Sequence, residues 1–289
     1  MRTPVSRAGV AGEVGSGRAI EAESSLARML GLLDVFTPAA PSWSADALVR
    51  YAGVSRSTAY RYIKALSAAG LLNAVAEGHY ILGPRITELD RQIRQCDPLY
   101  NAAGAAMKRL VVETGHAALL CTLFRDATMC IREELAPDSP PHLFTRGQRR
   151  PLFLGAASKI MLPYLPAHQL RGLYSRNETA IAMAGLGADW AAFRATMARI
   201  RQAGFVVTSG EFNPGVVGVS APLFNRSRHI LGSVGIAGAK DRLGRVAVAD
   251  AAGRVRAAAE EITRIVSGLG TVLDRPPRAV GSGALEQVP

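Results

Sequence analysis

Residues 45–72 read ADALVRYAGVSRSTAYRYIKALSAAGLL, and this stretch decides the fold of the N-terminal part of the chain. It predicts two helices joined by a tight turn at Gly53-Val54-Ser55. Gly53 can adopt the positive φ that such a turn requires. Ser55 is a favourable N-cap for the second helix, and Val54 supplies an apolar side chain beneath the turn. The pattern is typical of a helix-turn-helix.

The second of these helices has two distinct faces. Ala59, Ile63 and Leu66 recur at i, i+4 and i+7, which predicts a face packed on a core. The opposite face is basic, and no acidic residue occurs between Asp46 and Glu77. This is how a recognition helix is placed against phosphates and base edges. The predicted DNA-binding residues are Ser55, Arg56, Ser57, Thr58, Tyr60, Arg61 and Lys64. A purely structural helical hairpin is the alternative.

The flanking segments complete a winged helix-turn-helix over residues 24–84. A first helix begins near Ser24 or Ser25 and is ended by Pro38. Two short strands, 71–75 and 79–82, surround the hairpin turn signal Glu77-Gly78. Residues 85–96 are predicted to form a linker helix with an apolar stripe of Ile86, Leu89 and Ile93. A single slim helix could not bury this stripe by itself.

Composition limits the classes of protein to consider. The chain has 289 residues, enough for two domains, and a net charge of +11 that favours a polyanionic partner. It contains no apolar run long enough to span a bilayer and no secretory signal. Its three cysteines, Cys96, Cys121 and Cys130, fit no zinc or redox spacing, which indicates a reducing cytoplasm.

Beyond Gly115 the pattern changes to mixed strands and helices. Predicted strands are 117–123, 129–135, 205–208, 216–224 and 230–237, and predicted helices are 155–164, 190–203 and 246–269. Because strands and helices do not alternate regularly, the expected class is α+β with a largely antiparallel sheet. Residues 97–270 form this second domain, and residues 1–23 and 271–289 are expected to be disordered tails.

Several short segments, in order, resemble the isocitrate-lyase-regulator (IclR) family of bacterial transcription factors. In the N-terminal part the matching segments are Ser25-Leu26-Ala27-Arg28, Gly53-Val54-Ser55-Arg56-Ser57-Thr58 and Tyr80-Ile81-Leu82-Gly83. In the C-terminal part they are Arg149-Arg150-Pro151-Leu152, Ala157-Ser158-Lys159, Ile200-Arg201-Gln202-Ala203-Gly204-Phe205, Ser209-Gly210-Glu211 and Ala221-Pro222-Leu223-Phe224. The resemblance covers roughly residues 24–270 and is far more specific than any single segment.

The resemblance implies a winged helix-turn-helix, a linker helix and a GAF-like mixed α/β effector-binding domain. It also implies binding of palindromic operator DNA as a homodimer or dimer of dimers, and a response to small metabolites, often organic acids or aromatic compounds. When the effector-pocket positions of the family are carried over to this sequence, they fall near Ala156, Ala157, Thr208, Gly218, Gly235 and Ala237. Leu143 and Phe144 add an apolar wall on a weaker alignment.

The pocket departs from the family pattern at positions that carry polar side chains in some members. Among Thr208, Gly218, Gly235 and Ala237, three are Gly or Ala, which favours a bulkier, partly apolar effector over a very small polar one. The alternative is that these small residues only permit close backbone packing.

Two basic segments are candidate sites for the effector carboxylate. Ser158 and Lys159 fall in the first turns of a predicted helix, where an anion is favoured, although Lys159 itself is better interpreted as a solvated side chain. Arg146, Arg149 and Arg150 form a second candidate anion site or a solvated loop.

Enzymatic motifs are absent from the sequence. It has no nucleophile elbow, no Walker loop, no metal-ligand cluster and no cofactor motif. The expected function is therefore a DNA-binding regulator controlled by a small-molecule effector, with no membrane partner. The alternatives are a small-molecule-binding hydrolase with an accessory helical domain and an architectural nucleic-acid binder without a ligand.

Overall fold

The computed structural model describes residues 24–140, 144–243 and 248–270. The chain forms two compact units that are divided between Ile93 and Arg94. The predicted tails, 1–23 and 271–289, and Leu143 lie outside the described residues.

The N-terminal unit consists of short helices and a small antiparallel sheet. Its elements are α1 (Ser25–Gly31), β1 (Trp43–Ser44), α2 (Ala45–Ala52), α3 (Arg56–Ala68), β2 (Leu72–Ala74), β3 (His79–Leu82) and α4 (Pro84–Cys96). The sheet order is β1-β3-β2. The hairpin turn lies at Glu77 and Gly78, whose φ angles are 60° and 70°. Strand β1 was not predicted, because two residues are too few to show alternation. The predicted winged helix-turn-helix is confirmed.

Local chemistry fixes the turn between α2 and α3. Gly53 ends α2 in the left-handed conformation, with φ 61°. The Ser55 hydroxyl accepts a hydrogen bond from the backbone N–H of Thr58 at 3.3 Å and so caps α3. The helices pack on one core, whose largest fully buried members are Leu32, Leu48, Ile63 and Leu66.

The C-terminal unit is built on one six-stranded sheet. Its strands are β4 (Ala117–Phe124), β5 (Ala127–Glu134), β6 (Arg149–Pro151), β7 (Val206–Ser209), β8 (Val216–Phe224) and β9 (Ile230–Ala239). Its helices are α5 (Pro98–Thr114), α6 (Ala156–Lys159), α7 (Ala167–Arg176), α8 (Glu178–Met183), α9 (Trp190–Ala203), α10 (Lys240–Leu243) and α11 (Val248–Gly268). The strand order is β6-β5-β4-β9-β8-β7, and every neighbouring pair is antiparallel.

The two faces of this sheet have different roles. Helices α5 and α11 cover one face, where Leu110, Val255 and Ile262 pack against Leu120 and Val234. Because side chains alternate along a strand, the neighbours of Leu120 point to the other face. There Leu119, Cys121, Cys130, Phe144 and Ala237 form a smaller core that borders the pocket described below.

The segment after β6 differs from the sequence prediction. A helix from Gly155 to Tyr164 was expected, but α6 has only four residues and is followed by a 3-10 turn at Leu162–Tyr164. Pro163 lacks the backbone N–H that a continuing helix would need. Helices α7 and α8 were not predicted either.

Candidate DNA interface and effector pocket

Helix α3 presents the predicted DNA-binding residues to solvent. Thr58 is half-buried, and the other six are exposed: Ser55, Arg56, Ser57, Tyr60, Arg61 and Lys64. Ala59, Ile63 and Leu66 are buried, as the spacing predicts. Tyr62 is also buried, and its hydroxyl lies 2.7 Å from the Ser25 hydroxyl.

The basic residues of α3 differ in their partners. Arg56 pairs with Asp46 at 3.0 Å, and its guanidinium lies 5.7 Å from the centre of the Tyr60 ring. The hydrogen bond to Tyr60 and the charge of Asp46 raise the pKa of Arg56. Arg61 and Lys64, by contrast, make no ion pair or hydrogen bond with any residue that the structure describes. Their side chains are available to an external anion.

A small pocket of about 60 Å³ opens on the other face of the large sheet. It is lined by six of the seven predicted effector-binding residues: Ala156, Ala157, Ser158, Thr208, Gly218 and Ala237. Several of these residues are small, which favoured a bulkier effector at the level of the sequence. The free volume is nevertheless small, because Phe144, Arg150 and Phe212 also line it.

Gly235, the seventh predicted residue, does not line the pocket. A Cβ at this position would lie 2.2 Å from the Ser220 hydroxyl and 2.3 Å from the Val219 carbonyl oxygen. Gly235 therefore allows two strands to pack closely, which is the alternative that the sequence left open. Gly218 differs, since a Cβ there would meet Ala156 and Thr208 at an ordinary 3.6 Å.

Arg150 supplies the cationic group of the pocket, and the sequence alone did not distinguish it from Arg146 and Arg149. The Arg150 guanidinium lies 4.5 Å from the centre of the Phe144 ring and 4.0 Å from that of Phe212. Burial lowers the pKa of Arg150. Within the described chain its side chain makes no ion pair and no hydrogen bond. The pocket therefore holds a partly desolvated positive charge between two aromatic rings.

The acidic residue that lines the pocket, Glu211, is already bound to other groups. One of its oxygens is 2.7 Å from the Lys159 ammonium, and the other accepts the Gly155 N–H at 2.9 Å. The interpretation of Lys159 as a solvated side chain is wrong, because its side chain is only 8% exposed. The Gly155–Ser158 turn is likewise not a free anion site, because Glu211 holds it.

Several hydroxyl groups face the pocket without a partner. Ser158, Thr208 and Ser220 are buried and line it. None of these three hydroxyls is hydrogen-bonded to another group in the part of the chain that the structure covers. Buried polar groups normally have partners, so these hydroxyls can bind polar atoms of a ligand or water.

Comparison with known proteins shows which family both units belong to. A family model described as "Bacterial transcriptional regulator IclR C-terminal" matches residues 93–264, and one described as "IclR helix-turn-helix domain" matches residues 25–75. The chain belongs to the IclR family. The HTH-type transcriptional regulator KipR of Bacillus subtilis is 25% identical over 242 residues, covering 83% of this chain and 96% of KipR.

Solved IclR structures share the fold. An IclR transcriptional regulator from Alicyclobacillus acidocaldarius is 20% identical, with a TM-score of 0.70, over 84% of this chain and 97% of that one. An IclR homologue from Microbacterium hydrocarbonoxydans, complexed with 4-hydroxybenzoate, is also 20% identical, with a TM-score of 0.67, over 85% of this chain and 100% of that one.

Membership in the IclR family makes the chain a transcriptional regulator, with a helix-turn-helix for DNA and a C-terminal ligand-binding domain. The matched proteins are regulators and not enzymes, so the hydrolase alternative is wrong. Among the described residues no helix has the length and apolar character to cross a bilayer. The same residues contain no cluster of three metal-ligating side chains.

Proposed function

We propose that this IclR regulator binds operator DNA through α3 and is controlled by a small organic acid held in the pocket beside Arg150. The observation that carries the proposal is the Arg150 guanidinium, which lies in the pocket without an ion-pair partner among the described residues. An anionic group of a ligand would complete this site, because charge-assisted hydrogen bonds are stronger than neutral ones.

The body of the proposed effector is partly apolar. Leu119, Phe144 and Phe212 line the pocket with apolar surface, and Ala237 leaves space beside them. Pockets of this kind combine apolar walls with a few placed polar groups. The relative bound to 4-hydroxybenzoate supports the same chemical class, an aromatic or partly apolar carboxylate.

A ligand of that size needs more than the present 60 Å³. The segment from Gly210 to Gly215 carries Glu211 and Phe212, and both glycines have positive φ, 68° and 78°. Phe212 is 45% exposed. We propose that the Phe212 side chain turns outward and enlarges the pocket, while Glu211 stays bound to Lys159 and Gly155 and Arg150 keeps its place on β6.

A binding assay tests the effector assignment. The full chain is screened by thermal shift against benzoate, 4-hydroxybenzoate, succinate and glyoxylate, each paired with its uncharged amide or alcohol analogue. We expect a carboxylate to raise Tm and its neutral analogue to have little effect. The carboxylate should also change operator affinity. Stabilisation by neutral analogues alone would overturn the assignment.

On the DNA side, we propose that α3 enters the major groove with Arg61 and Lys64 at phosphates or base edges and Tyr60 against the backbone or a thymine methyl. Support comes from their exposure and from the absence of partners for Arg61 and Lys64 among the described residues. Arg56 would exchange Asp46 for a DNA group. Ser55, Ser57 and Thr58 lie at the start of α3, where hydroxyls and N–H groups favour phosphate.

We also propose that the protein is at least a homodimer, paired in part through α4. Ile93 is exposed, and Ile86 and Leu89 are only half-buried, so the apolar stripe of this helix is incompletely covered within one chain. Pairing would set the spacing of two operator half-sites. Light scattering at micromolar concentration tests this, and a monomer that binds operator with full affinity would contradict it.

A further inference from the structure

A second cavity, larger than the effector pocket, lies within the C-terminal unit beside β8 and α11. Its volume is about 210 Å³, and it shares no lining residue with the pocket around Arg150. Its floor is aromatic, because the rings of Tyr164 and Phe224 meet edge to face with centres 4.9 Å apart. Pro222 and Ala259 add apolar surface. This concavity is suited to the flat face of a small molecule.

Arginine side chains surround this aromatic floor. The guanidinium of Arg228 lies 4.7 Å from the centre of the Phe224 ring, and that of Arg201 lies 5.4 Å from the centre of the Tyr164 ring. Arg256, on α11, lines the cavity as well. None of the three side chains forms an ion pair or a hydrogen bond within the described ranges. The acidic lining residue is Glu260, so positive charge dominates the rim.

The turn between β8 and β9 fixes the backbone from which the Arg228 side chain projects. Arg228 has a φ of 62°, a left-handed conformation that is uncommon for a residue with a long side chain. Glycine or asparagine would adopt it at lower cost. The tight turn is otherwise well made, because Asn225 accepts the backbone N–H groups of Arg228 and His229 at 3.0 and 2.8 Å.

The charges of Arg201 and Arg228 also act on the Tyr164 hydroxyl. Burial raises the pKa of Tyr164, whereas the charges of Arg201 and Arg228 oppose that rise. Their positive charge therefore reaches into the cavity, which favours an anionic ligand over a neutral one.

We propose that this cavity is a second ligand site, which takes a small organic carboxylate with a flat apolar body. The body packs against the nearly perpendicular rings of Tyr164 and Phe224, facing one of them and meeting the other with its edge, and the carboxylate binds Arg228 and Arg256. The proposal does not rest on the function assigned to the first pocket, because the two cavities have separate lining residues and separate cations.

The test uses 4-fluorobenzoate as the probe, and fluorine NMR measures its binding to the full chain. Arg150→Met disables the first pocket, and we expect this variant still to bind the probe. Adding Arg228→Gly or Arg256→Gln should weaken that remaining binding about tenfold or more, as expected for loss of a charge-assisted hydrogen bond. Arg226→Gln, an exposed arginine of the same turn that does not line the cavity, is the matched control and should change nothing.

Stability separates a binding role for Arg228 from a structural one. Arg228→Gly relieves the positive φ but also removes the contact with the Phe224 ring, so Tm should change little while probe binding weakens. Unchanged Tm together with unchanged probe binding would overturn the role of Arg228.

Two further measurements complete the test. The Arg150→Met variant should bind 4-fluorobenzoate more tightly than 4-fluorobenzamide and more tightly than inorganic phosphate. No binding to this variant, or equal affinity for the amide, would refute the carboxylate site. Equal affinity for phosphate would refute the role of the aromatic floor. If Arg150→Met binds 4-fluorobenzoate in the same way as the wild type, and this binding still depends on Arg228 and Arg256, the first pocket is contradicted and this cavity stands.

Discussion

Replacing Arg150 with methionine is the sharpest test of the effector pocket. Methionine keeps an unbranched side chain of similar length but removes the charge. Arg150 lies against Phe144 and Phe212 at 4.5 and 4.0 Å, and each cation–π contact contributes about 0.5–2 kcal/mol. Removing the charge also removes its desolvation cost, which the lowered pKa of Arg150 reports. These effects oppose one another, so we expect stability to change by about 1 kcal/mol or less.

The effect on ligand binding should be much larger. A hydrogen bond to a charged group contributes about 1.5–3 kcal/mol, which corresponds to about a 10- to 150-fold loss of carboxylate affinity in Arg150→Met. Calorimetry on the wild type and the variant, with the tightest carboxylate of the panel and its neutral analogue, forms a double-mutant cycle. The neutral analogue should lose little affinity.

Two results would refute this reasoning. If Arg150→Met binds the carboxylate as tightly as the wild type, the guanidinium is not its partner. If carboxylate and neutral analogue lose affinity equally, the substitution has disturbed the shape of the pocket and the loss does not report charge.

Three other predictions concern the DNA interface, the sheet and pH. Arg61→Ala should weaken operator binding by about 1–3 kcal/mol if Arg61 contacts a base, or reduce the slope of log K against log salt by about one if it contacts a phosphate. Arg194→Ala, at an exposed arginine outside α3, should leave DNA binding unchanged. Gly235→Val should destabilise the C-terminal unit by about 3 kcal/mol or more in urea unfolding, because its Cβ would lie 2.3 Å from the Val219 carbonyl oxygen. Burial lowers the pKa of His116, and its Nε2 is buried without a hydrogen-bond partner in the described structure. The unfolded chain therefore binds a proton at this histidine more readily than the folded chain does. Tm should decrease as the pH is lowered below about 6.5, and the decrease should be smaller in His116→Gln.

The sequence predicted the elements whose signals are local. Gly53 and Ser55 mark the turn before α3 by their own backbone and side-chain chemistry, and α9 is bounded by Asp189 and Gly204 in the same way. Such signals need no knowledge of distant residues, so the helix-turn-helix and α9 were found with nearly correct ends.

The pocket depends on residues far apart in the chain, and there sequence reasoning was incomplete. Arg150 gains its role only because β6 pairs with β5 and because Phe212 comes from another segment. Gly235 matches a pocket position by sequence, but its register opposite Ser220 makes it a packing residue. Lys159 was interpreted without Glu211, a partner 52 positions along the chain.

The central pairing of the large sheet, β4 with β9, has a consequence for the order in which the protein matures. It joins Ala117 to Ala237, so the two halves of the sheet cannot meet until most of the chain has been synthesised. The N-terminal unit needs no such distant contact and is complete once residue 93 has emerged. During translation, the surface that we propose for DNA therefore forms well before the domain that controls it.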